Sequence, residues 1–264
     1  MNCAVALDHD HEAQGSPAVR PLDFAIAQAC EEVSHNLNGQ RLGRKGRETR
    51  ERVIHAAIRL LNERRAEAFS LSAVAREASL GMSSLYNYFN DAHELMIAVL
   101  EPVMATAADS YMQVIRDYWP DEVLNQKCTE FWTKYLAFWR EHAPVLHQRN
   151  QMSDAGDERM LRHRFEAVYP LIECLQMQLG LSDVVEPDQR IRSIGAVLVT
   201  GLERTVTVRT MPNYLAMLAH NRASSEYDLG GASAQLMELA IRDSRARMRG
   251  PDGGALQLVE IRPL

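Results

Sequence analysis

Residues 70–89 constrain the fold more than any other stretch of the chain. Ser70 has the chemistry of a helix N-cap, and Leu71, Val74, Ala75 and Ala78 follow at i, i+3, i+4 and i+7, the spacing of one buried helical face. The connection Ser79-Leu80-Gly81 is short, and Gly81 is the residue there best able to adopt a left-handed or otherwise strained backbone. A second helix is expected over 82–89, about two turns long. Its Leu85 and Phe89 share one side, leaving Met82, Ser83, Ser84, Tyr86, Asn87 and Tyr88 on the others. Two short helices joined this tightly, the second with a small apolar foot and a polar outer face, form a unit that can dock one helix in a DNA groove. Ahead of this pair, Ile54, Ala57, Ile58 and Leu61 mark an amphipathic helix. Behind it, Asp91 and Glu94 have capping-box spacing for a further helix.

Charge is distributed unevenly. The net charge is −6, which argues against wholesale coating of nucleic acid or membrane, yet residues 41–65 hold nine basic residues against three acidic ones. Arg41, Arg44, Lys45 and Arg47 lie just before the first amphipathic helix, and from that position we expect them to reach the DNA backbone or the adjacent minor groove. A solvated, highly charged helix face is the alternative for the same residues.

The segment from Arg50 to Leu100 resembles the N-terminal domain of the TetR family of bacterial transcription regulators. The resemblance rests on the AA-I-LL stripe at 56–61, SLSAVAREA at 70–78, and LYNYF at 85–89 followed by a capped helix. It implies that the 82–89 helix enters the major groove with Met82, Ser83, Ser84, Tyr86, Asn87 and Tyr88 facing DNA, and that Ser70 sits near a phosphate. Packing within the small domain is the alternative for Tyr86 and Tyr88. For Asn87 the alternatives are a solvated amide and a bidentate contact with adenine. The chain departs from the family pattern at Arg65 and Ser79, where glycine is usual, and at Met82 and Ala92, where lysine is common. A reading unit without these lysines grips phosphates weakly and depends on the basic segment before it.

The expected fold is all-α: a small three-helix DNA-binding domain with the helix-turn-helix, followed by a larger helical ligand-binding and dimerisation domain. Residues 1–40 read as an N-terminal extension, its first part polar and disordered, with a short helix offered by Leu22, Ile26, Ala29 and Val33. The DNA-binding domain spans 41–107, the C-terminal domain 108–249 and a loose tail 250–264. Breaks are expected at Pro102, Pro120, Pro144, residues 154–156, Pro187 and Pro212.

In the C-terminal domain, aromatics cluster at Phe131, Trp132, Tyr135, Phe138 and Trp139, and their spacing puts Phe131 or Trp132, Tyr135, and Phe138 or Trp139 along one side of a helix. They are ordinary core, or the wall of a pocket in which Trp132, Tyr135 and Trp139 would meet polar anchors drawn from His147, Arg149, His163 and Arg164. The resemblance implies a homodimer through the last two long helices, over 188–211 and 233–248. Cys3, Cys30, Cys128 and Cys174 are scattered and read as reduced thiols of a cytoplasmic protein. No signal peptide or membrane span is legible, and His9-Asp10-His11-Glu12 is a poor metal site in a polar tail. No catalytic motif, metal site or cofactor is expected. The leading reading is a ligand-responsive repressor that binds a palindromic operator in double-stranded DNA as a dimer and responds to an unknown small molecule. A helical sensor that has lost DNA recognition is the alternative, and an enzyme has the least support.

Overall fold

The computed structural model describes residues 21–63, 69–180, 189–212, 214 and 229–249. The expectations for the polar N-terminus, for Arg65, for the break at Pro187 and for the tail 250–264 lie outside the described residues. Those described form helices joined by turns. The elements are α1 (Pro21–Glu32), α2 (Arg44–Asn62), α3 (Leu71–Glu77), α4 (Met82–Leu85), α5 (Ala92–Ala105), α6 (Tyr111–Ile115), α7 (Leu124–Asp154), α8 (Glu158–Gln178), α9 (Gln189–Arg209) and α10 (Leu229–Arg249), with one turn of 3-10 helix before α7.

The apolar stripes go where their periodicity directs. Ile54 and Ala57 of α2, Leu71, Val74 and Ala75 of α3, Leu85 of α4 and Phe89 just after it are all buried in a core that continues into the C-terminal helices. Helix α1 joins that core: Ile26 and Cys30 are buried, and the helix packs on α2 and α5. The later part of the N-terminal extension therefore belongs to the body of the DNA-binding domain.

In the C-terminal domain α7 lies against both α8 and α10, and α9 packs on α8, α7 and α10. Two expected breaks do not occur, because α5 runs through Pro102 and α7 through Pro144. A proline removes one backbone donor and strains the preceding turn, a cost of about 3 kcal/mol. Burial of Val99, Leu100 and Val103 around the first, and of Ala143, Val145 and Leu146 around the second, holds each helix together. Pro120 stands between elements, five residues after α6 and directly before the 3-10 turn, and residues 154–156 end α7. After α7 the chain reverses through Gly156 at φ 91, and its N–H donates to the Ser153 carbonyl at 3.0 Å.

Candidate DNA-binding surface and the buried C-terminal site

The helix-turn-helix is built as its sequence implies at the start and differently at the turn. Ser70 caps α3, its hydroxyl accepting from the Ala73 N–H at 3.3 Å. The left-handed residue is Ser79, at φ 54, while Gly81 has φ −72 and ψ 149, extended backbone open to any residue. This corrects the expectation for Gly81. The Leu80 N–H returns to the Ala75 carbonyl at 2.8 Å, and that closure needs the left-handed step one residue earlier.

Helix α4 is a single α-turn from Met82 to Leu85, shorter than the two turns expected. It is prolonged to Phe89 by tighter bonds, among them Tyr88 N–H to Leu85 C=O at 2.9 Å. Ser83 and Ser84 are exposed and Tyr86 is 51% exposed, whereas Met82 and Tyr88 lean half-buried against the core. For Tyr88 this is the packing alternative.

Asn87 is engaged from an unexpected direction. Its backbone carbonyl accepts from the Leu37 N–H at 3.0 Å, and its side-chain oxygen accepts from Asn38 Nδ2 at 2.8 Å. No periodicity or motif in the sequence places residues 33–42 beside α4.

The basic segment is not a free arm. Arg44, Lys45 and Arg47 form the opening turns of α2. Arg44 and Lys45 are exposed, Arg44 lies 3.5 Å from Glu48, and Arg47 is half-buried. One turn further on, the Arg50 guanidinium stacks 4.6 Å from the Phe89 ring, tying α2 to the end of the reading unit.

The C-terminal aromatics form a packed core. Tyr111 meets Tyr135 edge-on at 4.8 Å and Phe138 at 5.2 Å, and burial pushes the Tyr111 phenol up to about 12. Tyr135 and Trp139 border a tight space with room for about one water molecule, whose polar edge is Arg149 and Glu203. Trp132 is buried outside that lining. His147 pairs with the Thr210 hydroxyl at 3.0 Å, and His163 is half-buried with its Nδ1 unpaired. So Tyr135, Trp139 and Arg149 meet there, and the other four pocket candidates, Trp132, His147, His163 and Arg164, do not.

The polar edge is a shared ion pair. Glu203 Oε1 accepts from Arg149 Nη2 at 3.0 Å and from Arg164 Nε at 3.1 Å, and Arg164 also reaches Asp154 at 3.2 Å. Burial lowers the Arg149 pKa and Glu203 opposes that shift. Glu203 was missed in the sequence. Its signal was one acid in register with Val199 and Thr207 on the buried face of α9.

A family model described as "Bacterial regulatory proteins, tetR family" matches residues 53–99. An HTH-type transcriptional regulator of Staphylococcus aureus (strain bovine RF122 / ET3-1) is 31% identical over 175 residues, covering 64% of this chain and 90% of that protein. The chain belongs to the TetR family.

A second HTH-type regulator, from S. aureus strain USA300, is 28% identical over 176 residues and covers 64% of this chain and 91% of its own length. Among solved structures, a TetR-family transcriptional regulator from Streptomyces coelicolor aligns with a TM-score of 0.47 at 21% identity, covering 80% of this chain and 95% of that one. As a TetR-family member the chain is an all-α DNA-binding transcription regulator, and α3–α4 is its helix-turn-helix. Among the described residues no helix is long and apolar enough to cross a membrane, and no cluster of His, Cys, Asp and Glu is arranged to hold a metal ion.

Proposed function

We propose that this TetR-family regulator is a ligand-responsive repressor that binds a palindromic operator as a homodimer. The observation that carries the ligand response is a polar bridge from the reading unit to the C-terminal core. Asp91, the cap of α5, accepts from Arg159 Nη1 at 2.9 Å, and His93 Nε2 lies 3.2 Å from Asp157, the cap of α8. Helix α8 also carries Arg164 to the buried Glu203. A small molecule entering the tight space beside Tyr135 and Trp139 must part α7, α8 and α9. Displacing α8 would pull on α5, which follows the helix-turn-helix directly. A ligand that binds the parted state better than the closed one thus shifts the population of reading-unit positions.

The homodimer is supported by apolar side chains without cover on the outer helices. Val197 of α9 is 71% exposed, and Leu236 and Leu239 of α10 are also exposed. Phe165 and Tyr169 extend this exposure to α8, whose neighbour is α9. Gly201 has open space where a side chain would stand, so a second copy can approach α9 closely. Two-fold pairing would give two reading units for neighbouring groove turns of a palindrome.

The test is a footprint of the purified protein on DNA flanking its own gene, together with a reporter driven from that DNA. Two symmetric protected half-sites, and reporter output that rises when the gene is deleted, are expected. A single unsymmetric footprint would refute the dimeric operator, and falling output on deletion would refute repression.

A further inference from the structure

Residues 33–42 form a small, internally fixed turn. The Leu42 N–H donates to the Ser34 carbonyl at 2.8 Å, and His35 and Arg41 face each other in an antiparallel bridge. Across the tip, the Asn36 side-chain oxygen accepts from the Asn38 N–H at 3.0 Å and from the Gln40 N–H at 2.9 Å. Gly39 supplies the left-handed step at φ 74. Leu42 anchors the base in the core, and the turn leads straight into α2.

Its position is set by Asn87. The bonds from the Leu37 N–H and the Asn38 side chain hold the tip on the C-terminal end of the α4 segment. On a helical turn Asn87 shares a face with Ser83 and Ser84, the exposed face of the reading unit. The turn therefore extends that face.

Its composition fits DNA. Between residues 33 and 47 there is no acid, while Arg41, Arg44, Lys45 and Arg47 are basic and Asn36, Asn38 and Gln40 carry amides. Ser34, His35, Leu37, Asn38, Gln40 and Arg41 are exposed, so the core does not account for them. Helix α4 itself offers only hydroxyl, phenol and amide groups to a phosphate backbone, and the cations stand on the turn and the start of α2.

We propose that the 33–42 turn is a second DNA-contacting element, locked to the reading unit through Asn87. Arg41 and Gln40 take the sugar-phosphate backbone of duplex DNA just beyond the segment that α4 reads. This rests on the operator-binding reading above and adds to it a contact outside the helix-turn-helix. Phosphate contacts of this kind set register without reading bases.

The test uses the full-length protein and duplexes that it selects from a random-sequence library. Wild type is compared with R41A, which spares every bond of Asn36 and Asn87, and with the Q40A/R41A double variant, which removes the Asn36 Nδ2 to Gln40 Oε1 bond of 3.1 Å but keeps the backbone bonds to Asn36 Oδ1 and the Asn87 bonds. Ethylation interference should show a phosphate contact at one edge of each half-site that the variants lose, with the remaining pattern intact. Affinity of the dimer should fall about a hundredfold, roughly tenfold for each of the two charged hydrogen bonds lost. The slope of log K against log salt should flatten by about two for a dimer that loses one phosphate per half-site. Unchanged interference, affinity and slope in both variants would overturn the proposal and leave the turn a brace for α4. A wild-type protein that selects no duplex would defeat the operator reading itself and this proposal with it.

Discussion

The side chains of Asn38 and Asn87 meet at 2.8 Å, and through them the segment between α1 and α2 is fastened to the end of the reading unit. Asn87 is thereby turned toward the protein, which displaces the bidentate adenine contact its amide offered in the sequence. The bond lies at the surface, so its net contribution to stability should be about 0.5–1.5 kcal/mol. A double-mutant cycle of Asn38→Ala and Asn87→Ala, read by urea unfolding, should return a coupling energy in that range. Strict additivity would show that the two amides do not act together.

Ser79 holds a left-handed backbone at φ 54 in the turn of the helix-turn-helix. A Cβ there costs about 1–2 kcal/mol, and glycine, which avoids the clash, gives part of that back through its freer unfolded chain. Ser79→Gly should stabilise the protein by about 0.5–1 kcal/mol, seen as a raised urea midpoint at unchanged slope. Gly81→Ala, at an ordinary extended backbone, should bring no comparable penalty. A loss of stability in S79G would mean that the serine hydroxyl makes up for the strain.

Arg44 and Lys45 open α2 with exposed side chains. If each meets one phosphate per half-site, replacing either with alanine should reduce the salt slope of operator binding by about two in the dimer and weaken binding almost equally across sequences. Tyr86→Ala, on the exposed face of α4, should instead weaken binding by an amount that depends on the operator sequence. Equal losses on all duplexes for Y86A would place Tyr86 on the backbone.

What the sequence disclosed and what it hid follow from the range of the interactions. The stripe of Leu71, Val74, Ala75 and Ala78 was legible because burial repeats at the helical period, and all four are buried. The Ser70 cap and the Asp91–Glu94 spacing were legible because the partners lie within one turn, Glu94 N–H reaching Asp91 at 2.8 Å. The 33–42 turn was not, since its key partner is 49 residues away and the contact is amide to amide, with no hydrophobic period to record it. The left-handed residue was assigned to Gly81 from its type alone, whereas the return of the Leu80 N–H to Ala75 sets the position at Ser79. The aromatic run at 131–139 marked burial correctly, but it could not say whether the space between the rings was open. Edge-to-face packing has nearly closed it.

The pair Arg149–Glu203 is buried in that packed region, with Arg149 2% exposed. Glu203→Leu leaves two guanidinium groups facing an apolar wall, and breaking such a pair from one side costs about 3–5 kcal/mol. The double variant R149M/E203L removes the charge on both sides and should recover part of that loss. Urea unfolding of the two single variants and the double decides it. A double variant no better than E203L would assign the stabilising role to Arg164 or to the shape of the site.

His163 gives the protein a sensitivity to mild acid. Burial, with the charge of Arg149 nearby, lowers its pKa from the ordinary imidazole value of 6.5 to about 4, and its Nδ1 has no hydrogen-bond partner. The unfolded chain takes up this proton near the ordinary value, while the folded chain resists it. The stability contribution is therefore complete above about pH 6.5 and is lost as pH falls toward 4. His142, whose pKa burial also lowers, acts in the same direction. The pKa values of the paired carboxylates Asp91 and Asp121 are lowered, so they titrate further down and leave this window to the histidines. Between pH 7 and pH 5 His163 should account for a loss on the order of 1–2 kcal/mol in urea unfolding. His163→Gln should reduce the pH dependence by that amount while the His142 contribution persists. An H163Q protein as acid-sensitive as the wild type would place the titrating group elsewhere.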